Sequence, residues 1–327
     1  MDPISQACFG ASLAQSATND RKKQFMALSI GAIAGMSPDL DIFINSNQDQ
    51  LLFLEYHRQF THSLIFIPFG ALLFTLALYP FTKNKLSQGQ IFLFSFLGIA
   101  THGLLDACTS YGTQLLWPFS NERVAWNIVS IIDPFFTLPI TILILFALFK
   151  QKVLYARIAF VYAIVFLSLG FIQKQRAENA LIELANMRGH TAERMLAKPS
   201  FANRHVWKLI YESDNKYYVD AVKLLWEPKI IVGTSINKLN LKRDLPFVQP
   251  NSIQANDIER FRWFSSDFLA INPNNKRIII DVRYSFVPNQ IKMMWGIQLN
   301  KEDEHVSFKV NSTPDKKSRK QFIDMIF

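Results

Sequence analysis

Two pairs of polar side chains in the first half of the sequence have spacings suited to a metal site. His102 and Asp106 are four residues apart, so a helix would place both side chains on one face, one turn apart. His57 and His62 are five residues apart, which better suits a loop that continues into a helix. Neutral imidazoles and carboxylates are ligands that zinc, manganese and iron share. The two pairs therefore predict coordination of a divalent metal ion.

Three aspartates extend this set of candidate ligands. Asp39 and Asp41 are two residues apart, a spacing that needs an extended or turning backbone, and Pro38 just before them favours such a backbone. Asp133 opens a later apolar segment and is a weaker candidate. The whole set is enough for one or two ions. Zinc is the first expectation, with manganese or iron as alternatives.

Each of these residues also has an ordinary structural interpretation. A single histidine in a membrane segment more often packs or lies at the interface than binds a metal. Aspartates beside proline, as in 38-PDLD-41 and 133-DP-134, often start a turn or cap a helix. His102 and Asp106 could share only a hydrogen bond. The metal interpretation is favoured because the order of the apolar segments brings the same ligand chemistry from several of them to one face.

The elements that must position these residues are apolar segments. Half of the chain is hydrophobic, with a mean hydropathy of +0.11, and the apolar runs end near residue 173. Because about 20 apolar residues in a helix span a bilayer, we expect residues 1–173 to form an α-helical polytopic membrane bundle of five to six spans. The first two are short and rich in Gly, Ala and Ser, which predicts a closely packed helical hairpin. The six segments are 4–16, 25–38, 63–81, 91–107, 134–149 and 153–172.

Basic residues between the segments predict the orientation. One set of loops is rich in Lys and Arg and the opposite set is acidic, so the basic side should be cytoplasmic. If six segments cross, the candidate ligands meet on the non-cytoplasmic face, and residues 174–327 lie on that side too. The net charge of +9 is then no evidence for nucleic-acid binding, because topology accounts for much of it. The basic residues of the cytoplasmic side are Arg21, Lys22, Lys23, Lys83, Lys85, Lys150, Lys152 and Arg157, whereas the opposite loops contain only Arg58 and Arg123.

Residues 174–327 are predicted to form a small, separate α+β domain with an antiparallel sheet. A charged helix is expected over 174–198, and an amphipathic helix over 256–272 with Asn256 as its cap. The sequence shows no phosphate loop, nucleophile elbow or nucleic-acid signature there, so its role and any protein partner stay open. Alternating apolar and polar residues predict strands within 205–227 and at 229–234, 276–287, 291–299 and 305–310.

Four stretches of the first half resemble a known family. They are 35-GMSPDLD-41, 56-YHRQFTHS-63, 101-THGLLDACTSYGTQLLWPFS-120 and 126-WNIVSIIDPFFTLP-139. Together they are similar to the YdjM-type family of inner-membrane metal-dependent hydrolases. The resemblance implies a bacterial inner-membrane protein that hydrolyses its substrate with a bound metal. Many relatives carry Thr-His near the start, where this chain has Ser5 and Gln6, so either fewer protein ligands hold the ion or water fills that place. The matching positions are Asp39, Asp41, His57, His62, His102 and Asp106.

The predicted function is hydrolysis by a metal-activated water at the outer membrane face. Glu55 is a candidate general base and Arg58 a candidate clamp for an anionic group. A site at the boundary of the lipid bilayer suits a phosphoester or ester of an amphiphilic, lipid-like small molecule. The alternative is a non-enzymatic membrane protein whose His and Asp residues form a structural or sensing metal cluster and whose C-terminal domain binds a partner.

Overall fold

The chain folds into two compact units, and the computed structural model describes residues 1–300, 303–311 and 313–327. The first unit, called the helical unit, consists of Met1–Phe43, Tyr56–Ile172 and Phe201–Asn203. The second, called the sheet unit, consists of Ile44–Glu55, Gln173–Ser200 and Arg204–Phe327. The Ile44–Glu55 segment thus folds with the C-terminal part of the chain.

Each predicted apolar segment of the helical unit is a helix. Polar caps begin several of them: the Asp2 carboxylate accepts from two backbone N–H groups of the first helix, and Ser87 and Gln90 form a reciprocal capping box at the start of another. The helices are α1 (Pro3–Ser16), α2 (Gln24–Met36), α3 (Leu52–Tyr56), α4 (Phe66–Thr82), α5 (Gln88–Ala107), α6 (Pro134–Phe149) and α7 (Leu154–Met187). Residues 52–55 of α3 and residues 173–187 of α7 belong to the sheet unit. Short 3₁₀ helices cover Arg21–Lys23, Ser37–Phe43 and Phe60–His62.

Three of these helical segments are long and apolar enough to cross a membrane: Arg21–Phe43, Gln88–Ala107 and Leu154–Met187. A fourth span would be the pair Leu52–His62 and Phe66–Thr82, which is bent by 82° at its break. Three to four spans are therefore supported by length and composition. The expected count of five to six is not confirmed, because α1 has 14 residues and α6 has 16, fewer than a straight crossing requires.

Glycines let α1, α2 and α5 approach one another backbone to backbone. A Cβ atom on Gly10 of α1 would lie 2.6 Å from the carbonyl oxygen of Gly31 in α2. A Cβ on Gly98 of α5 would lie 2.6 Å from that same oxygen. A larger residue at any of these positions would force the helices apart. The close packing expected of the first two segments thus extends to α5 and fixes the helix ends that carry the candidate ligands.

The sheet unit contains two four-stranded antiparallel sheets, with strand orders β1-β2-β3-β4 and β5-β6-β7-β8. The antiparallel strand pairing predicted from the sequence is confirmed, but the strands form two sheets instead of one. Trp207 and Tyr211 of the first sheet are fully buried, and Phe261 packs with Ile279 of the second. The strands are β1 (Arg194–Pro199), β2 (Val206–Ser213), β3 (Lys216–Leu224), β4 (Pro228–Asn237), β5 (Leu269–Asn272), β6 (Asn275–Asp281), β7 (Trp295–Gln298) and β8 (Ser307–Val310). The helices are α8 (Leu241–Asp244), α9 (Ile253–Phe264) and α10 (Lys316–Ile326).

The helix predicted over 174–198 is wrong at its C-terminal end. α7 ends at Met187, and the residues from Arg194 onward form β1. Gly189 has a φ of +70°, a left-handed conformation that glycine adopts readily and that ends helices. The backbone N–H of His190 donates to the Ala185 carbonyl oxygen and closes the last turn.

The helix predicted over 256–272 is also displaced. It covers Ile253–Phe264, and its cap is Ser252, whose hydroxyl accepts from the backbone N–H of Ala255, instead of Asn256. Residues 266 and 267 both have positive φ values, of 51° and 58°, which break the helix before β5 begins.

Candidate metal centre

Three elements of the helical unit carry the polar residues that meet at one site. The 3₁₀ segment Ser37–Phe43 directly follows α2 and carries Asp39 and Asp41, with Pro38 at its start. The second 3₁₀ segment, Phe60–His62, carries His62, and the C-terminal half of α5 carries His102 and Asp106.

Gly103 lets the second of these segments rest on α5. A Cβ atom at Gly103 would lie 2.2 Å from the carbonyl oxygen of His62. No real side chain tolerates that distance, so only glycine allows this approach. The result is that the His62 ring lies beside His102, with ring centroids 4.4 Å apart.

Four side chains converge with their ligand atoms within 4.8 Å of one another: Asp39, His62, His102 and Asp106, called the candidate metal centre below. Asp39 Oδ1 lies 3.3 Å from His62 Nε2 and 3.4 Å from His102 Nε2. His62 Nε2 lies 3.6 Å from Asp106 Oδ2 and 2.8 Å from His102 Nε2. Tetrahedral zinc with bonds of 2.0–2.1 Å separates its ligands by about 3.3 Å. The two carboxylates fit that spacing, and the two histidines need only a small opening of their contact.

The hydrogen bonds of the two histidines set which ring nitrogens are free. His102 Nδ1 lies 2.6 Å from the Gly35 carbonyl oxygen, which can only accept, so Nδ1 carries the proton. His62 Nδ1 lies 3.0 Å from Thr61 Oγ1, whose hydroxyl already donates to Asp41 Oδ2, and 3.2 Å from Asp41 Oδ2 itself. Both neighbours can accept here, which favours a proton on Nδ1. Both Nε2 lone pairs then face each other inside the helical unit. That arrangement is unfavourable unless a proton or a metal cation lies between them, so the residues fit a bound metal.

Asp41 is engaged by hydrogen bonds on both oxygens. His57 Nδ1 lies 2.7 Å from Oδ1. The backbone N–H of Arg58 and the hydroxyl of Thr61 donate to Oδ2 at 3.1 and 2.6 Å. Asp41, His57 and His62 also form a second group of donor atoms within 4.8 Å. Because both imidazoles place Nδ1 beside Asp41, this carboxylate is suited to orienting them.

Asp106 is held by several neighbours at the other side of the centre. Gln6 Nε2 donates to Asp106 Oδ1 at 2.8 Å, and the amino group of Met1 contacts the same oxygen. Arg58 Nε lies 3.0 Å from Oδ2, and the Arg58 guanidinium lies over the Tyr111 ring, 4.9 Å from its centroid. Gln6 thus stands beside the candidate ligands. Its Oε1 is buried and lacks a hydrogen-bond partner among the described residues.

Two of the residues predicted for the site are not among the side chains that converge there. Asp133 is the N-cap of α6, where its Oδ1 accepts from the backbone N–H groups of Phe135 and Phe136. Glu55 belongs to the sheet unit, where its carboxylate pairs with Arg260. Neither is among the groups of His, Cys, Asp and Glu that converge in the described part of the helical unit.

Sequence reasoning missed Thr61, Gly35 and Gly103, which hold the candidate ligands in place. The first has a signal in the sequence, because it immediately precedes His62 within 57-HRQFTH-62. The two glycines act through a carbonyl oxygen and through the absence of a side chain, so their residue type alone gives no indication of chemistry.

Apolar helices long enough to cross a membrane, together with a buried cluster of His and Asp side chains, define an integral membrane protein with a candidate metal centre. The chain belongs to the YdjM inner membrane protein family, whose model matches residues 1–177, and the resemblance seen in the sequence is confirmed. It is also 30% identical over 110 residues to YfhP of Bacillus subtilis (strain 168), which is described as an uncharacterized protein. That match covers 33% of each chain, so this chain spans about a third of the relative's length. No solved structure matches.

Proposed function

We propose that this protein is a metal-dependent hydrolase of the membrane that cleaves a phosphoester or ester bond of an amphiphilic, lipid-like substrate. The observation that carries the proposal is the facing pair of imidazoles. His62 and His102 direct their Nε2 atoms to one point, 2.8 Å apart, with Asp39 Oδ1 3.3 and 3.4 Å away. A divalent cation at that point would bind both Nε2 lone pairs, whereas a shared proton would satisfy the pair without a metal, so metal content decides between the two.

Asp39, His62, His102 and Asp106 would hold one ion, with zinc as the first candidate because its tetrahedral geometry and its N and O ligands match the set. When bound, such an ion lowers the pKa of a water and polarises a carbonyl or phosphoryl oxygen. Manganese and iron accept the same ligands. A second ion at Asp41, His57 and His62 would have to displace hydrogen bonds from the Asp41 carboxylate, so one ion is favoured.

Solvent access favours a catalytic role for the centre over a purely structural one. The Asp39 side chain is 25% exposed, whereas the side chains of His62, His102 and Asp106 are fully buried. The centre is thus closed on one side and reachable from the side of Asp39. Four protein ligands would fill a tetrahedral ion, so catalysis at this centre requires a place for water, gained by expansion to five ligands or by release of the partly exposed Asp39.

The His57–Asp41 pair is suited to moving a proton during hydrolysis. Asp41 Oδ1 binds His57 Nδ1, which leaves Nε2 as the basic atom, and the His57 side chain is 23% exposed. A carboxylate that fixes the imidazole tautomer in this way is a common feature of general-base histidines. Arg58 is held against Asp106 and would offset negative charge that develops on the substrate. The general-base role predicted for Glu55 stays a prediction, and its pairing with Arg260 makes His57 the better candidate.

Exposed apolar side chains beside Asp39 support an amphiphilic substrate. Leu40 and Phe43 lie in the same 3₁₀ segment as Asp39, and both are exposed. An acyl chain of a lipid could bury these side chains while its ester or phosphoester group reaches the centre.

The topology proposed with this function has five to six crossings, in which α1 and α6 are short spans. Its basic loops face the cytoplasm, and the centre and residues 174–327 face the other side.

Metal content and turnover test the proposal together. Protein purified in mild detergent should contain about one equivalent of zinc, manganese or iron by elemental analysis, and His62→Gln should reduce it to background. Wild type, and not this variant, should hydrolyse a member of a panel of lipid phosphoesters and carboxylic esters. The matched control is His205→Gln, at an exposed histidine of the sheet unit. The proposal is wrong if metal-free wild type, after incubation with each of these ions, neither retains the ion nor hydrolyses any member of the panel. Bound metal without turnover of the panel would favour the structural or sensing cluster.

A further inference from the structure

The turn between β3 and β4 presents two exposed apolar side chains in the described part of the sheet unit. Trp226 is 98% exposed and Leu225 is 50% exposed. Both lie between Leu224, which ends β3, and Pro228, which begins β4. A tryptophan side chain is large and amphipathic, and it gains free energy when its ring is covered and its N–H stays near water. The turn therefore needs a partner that is apolar on one side and polar on the other.

Arg176 of α7 fastens this turn to the helix. Its guanidinium Nη2 donates to the carbonyl oxygens of Leu225 and Trp226, at 2.6 and 3.1 Å. Hydrogen bonds from a charged donor to two consecutive carbonyls fix the backbone of the turn against α7. The turn is therefore held at the level of Arg176 along the helix axis.

The level of Arg176 on α7 corresponds to the polar boundary of a bilayer. The apolar stretch of this candidate span ends with Phe171 and Ile172, both exposed, and the first charged residues follow at once. Arg176 lies four residues beyond Ile172 in the same helix, which is about 6 Å along the axis. The headgroup region on each side of the hydrocarbon core is roughly 5–7 Å thick. The backbone of Trp226 is thus held near the level at which tryptophan is enriched in membrane proteins.

Two lysines flank the turn and one acidic residue, Glu227, lies within it, so the charge around the turn is net positive. Lys223 and Lys229 are direct partners in the β3–β4 register, one residue outside the turn on each strand. Lys229 is exposed and Lys223 is partly exposed. Lysines next to exposed aromatic side chains are typical of surfaces that bind anionic lipid headgroups.

We propose that the β3–β4 turn is a membrane anchor, in which Trp226 and Leu225 insert among the lipid headgroups of the same bilayer that α7 crosses. The anchor holds the first sheet against the membrane surface at one end. The occupant of the exposed apolar surface is lipid, and no protein partner is required. This inference does not depend on the hydrolase proposal, since it uses neither the metal centre nor its substrate.

Fluorescence quenching by brominated lipids tests the anchor in the full-length protein. The chain has six tryptophans, so the contribution of Trp226 is the difference between wild type and Trp226→Phe in the same vesicles. The vesicles contain phosphatidylcholine and phosphatidylglycerol, with bromine atoms just below the headgroups. Trp226→Phe should remove a component that the bromolipid quenches and that aqueous iodide does not reach. The control is Trp263→Phe, at a tryptophan of α9 that is 39% exposed, and it should remove no bromolipid-quenched component.

A second variant separates the anchor from an incidental contact with lipid. Arg176→Met deletes both hydrogen bonds to the turn, so the bromolipid quenching of Trp226 should decrease while far-UV circular dichroism is unchanged. The proposal is overturned if Trp226→Phe leaves bromolipid quenching as in wild type. It is equally overturned if the Trp226 component in vesicles is quenched by iodide, because the indole would then stand in water and be free for a soluble partner.

Discussion

Two clusters of His and Asp side chains, one in each unit, show why proximity of such residues does not by itself make a metal site. In the sheet unit, Asp49, Asp257 and His305 bring donor atoms within 4.8 Å of one another, as the four residues of the candidate metal centre do. Both clusters contain a cation, and the difference lies in how many carboxylates it contacts: Arg58 and the Met1 amino group contact only Asp106 in the candidate metal centre. Arg260 donates to Asp49 at 2.8 and 3.1 Å and to Asp257 at 2.7 Å, so a guanidinium already occupies the middle of that cluster. This cluster, with Glu55, is called the Arg260 network below.

The orientation of the histidines separates the two clusters further. In the Arg260 network, His305 Nδ1 lies 3.0 Å from Asp257 Oδ2, so the imidazole and the carboxylate are hydrogen-bonded to each other. A metal ion bound by both would have to break this hydrogen bond. In the candidate metal centre, both histidines turn Nδ1 outward to acceptors and Nε2 inward. The side chains of the Arg260 network satisfy one another by hydrogen bonds and ion pairs. The two inward Nε2 atoms of the candidate metal centre do so only with a cation between them.

The largest expected effect is loss of the bound metal when a ligand of the candidate centre is changed. His102→Gln should reduce metal content to background, because it removes one inward Nε2 and leaves the centre with three ligands. His305→Gln should leave metal content at the wild-type value, since Arg260 already balances the carboxylates near it. Elemental analysis of the two variants purified side by side provides the measurement. Equal loss of metal in both would show that the distinction between the clusters is wrong.

Removing Arg260 should have the next largest effect, on stability and not on metal binding. Arg260→Met leaves Asp49, Glu55 and the buried Asp257 without their cation. Breaking a fully buried ion pair costs about 3–5 kcal/mol, and since Arg260 is partly exposed we expect roughly 2 kcal/mol. Thermal unfolding followed by circular dichroism measures the loss, with the exposed Arg319→Met as control. A variant as stable as wild type would mean that the network contributes nothing to the fold.

The same network should be sensitive to acid. Partial burial raises the pKa of Asp49, but the hydrogen bonds from Arg260 and from the Leu51 backbone N–H, together with the positive charge of Arg260, outweigh burial and bring the pKa below its ordinary value. A carboxylate with a lowered pKa stabilises the fold above its unfolded pKa of about 3.9, and this contribution is lost as the pH falls through the lower folded pKa. Wild type should therefore lose stability below about pH 4 more steeply than Arg260→Met. Parallel pH curves for the two proteins would contradict this.

Much of this arrangement could be predicted from the sequence, and the remainder depends on long-range packing. Local spacing predicted that His102 and Asp106 share a helix face, and the alternation of apolar segments predicted that Asp39 and His62 lie near them. The Arg260 network could not be predicted, because Asp49 and Arg260 are 211 residues apart and no local pattern relates them. The end of α7 was missed for a different reason: the charged residues after it favour a helix, and a single glycine at 189 ends it.

A smaller effect is expected from Asp41, which orients the imidazoles. Asp41→Asn keeps the size of the side chain but weakens its hold on His57 and His62, so metal affinity should fall by about 10–100-fold without being abolished. Competition with a chelator of known affinity measures the change. Thr61→Val, which deletes only one donor to Asp41, should have a weaker effect in the same direction. If Asp41→Asn binds no metal at all, Asp41 is a ligand and the centre is larger than four residues.

The smallest expected effect distinguishes a capping aspartate from a ligand. Asp133 was a candidate ligand from sequence, yet its carboxylate caps α6 through the backbone N–H groups of Phe135 and Phe136. Asparagine caps helices about as well as aspartate, whereas alanine costs about 1 kcal/mol. Asp133→Asn should therefore keep both the stability and the metal content of wild type, and Asp133→Ala should lose about 1 kcal/mol of stability with its metal retained. A ligand would behave differently, because an amide binds a divalent ion far more weakly than a carboxylate does. Loss of metal in Asp133→Asn would show that Asp133 is a metal ligand.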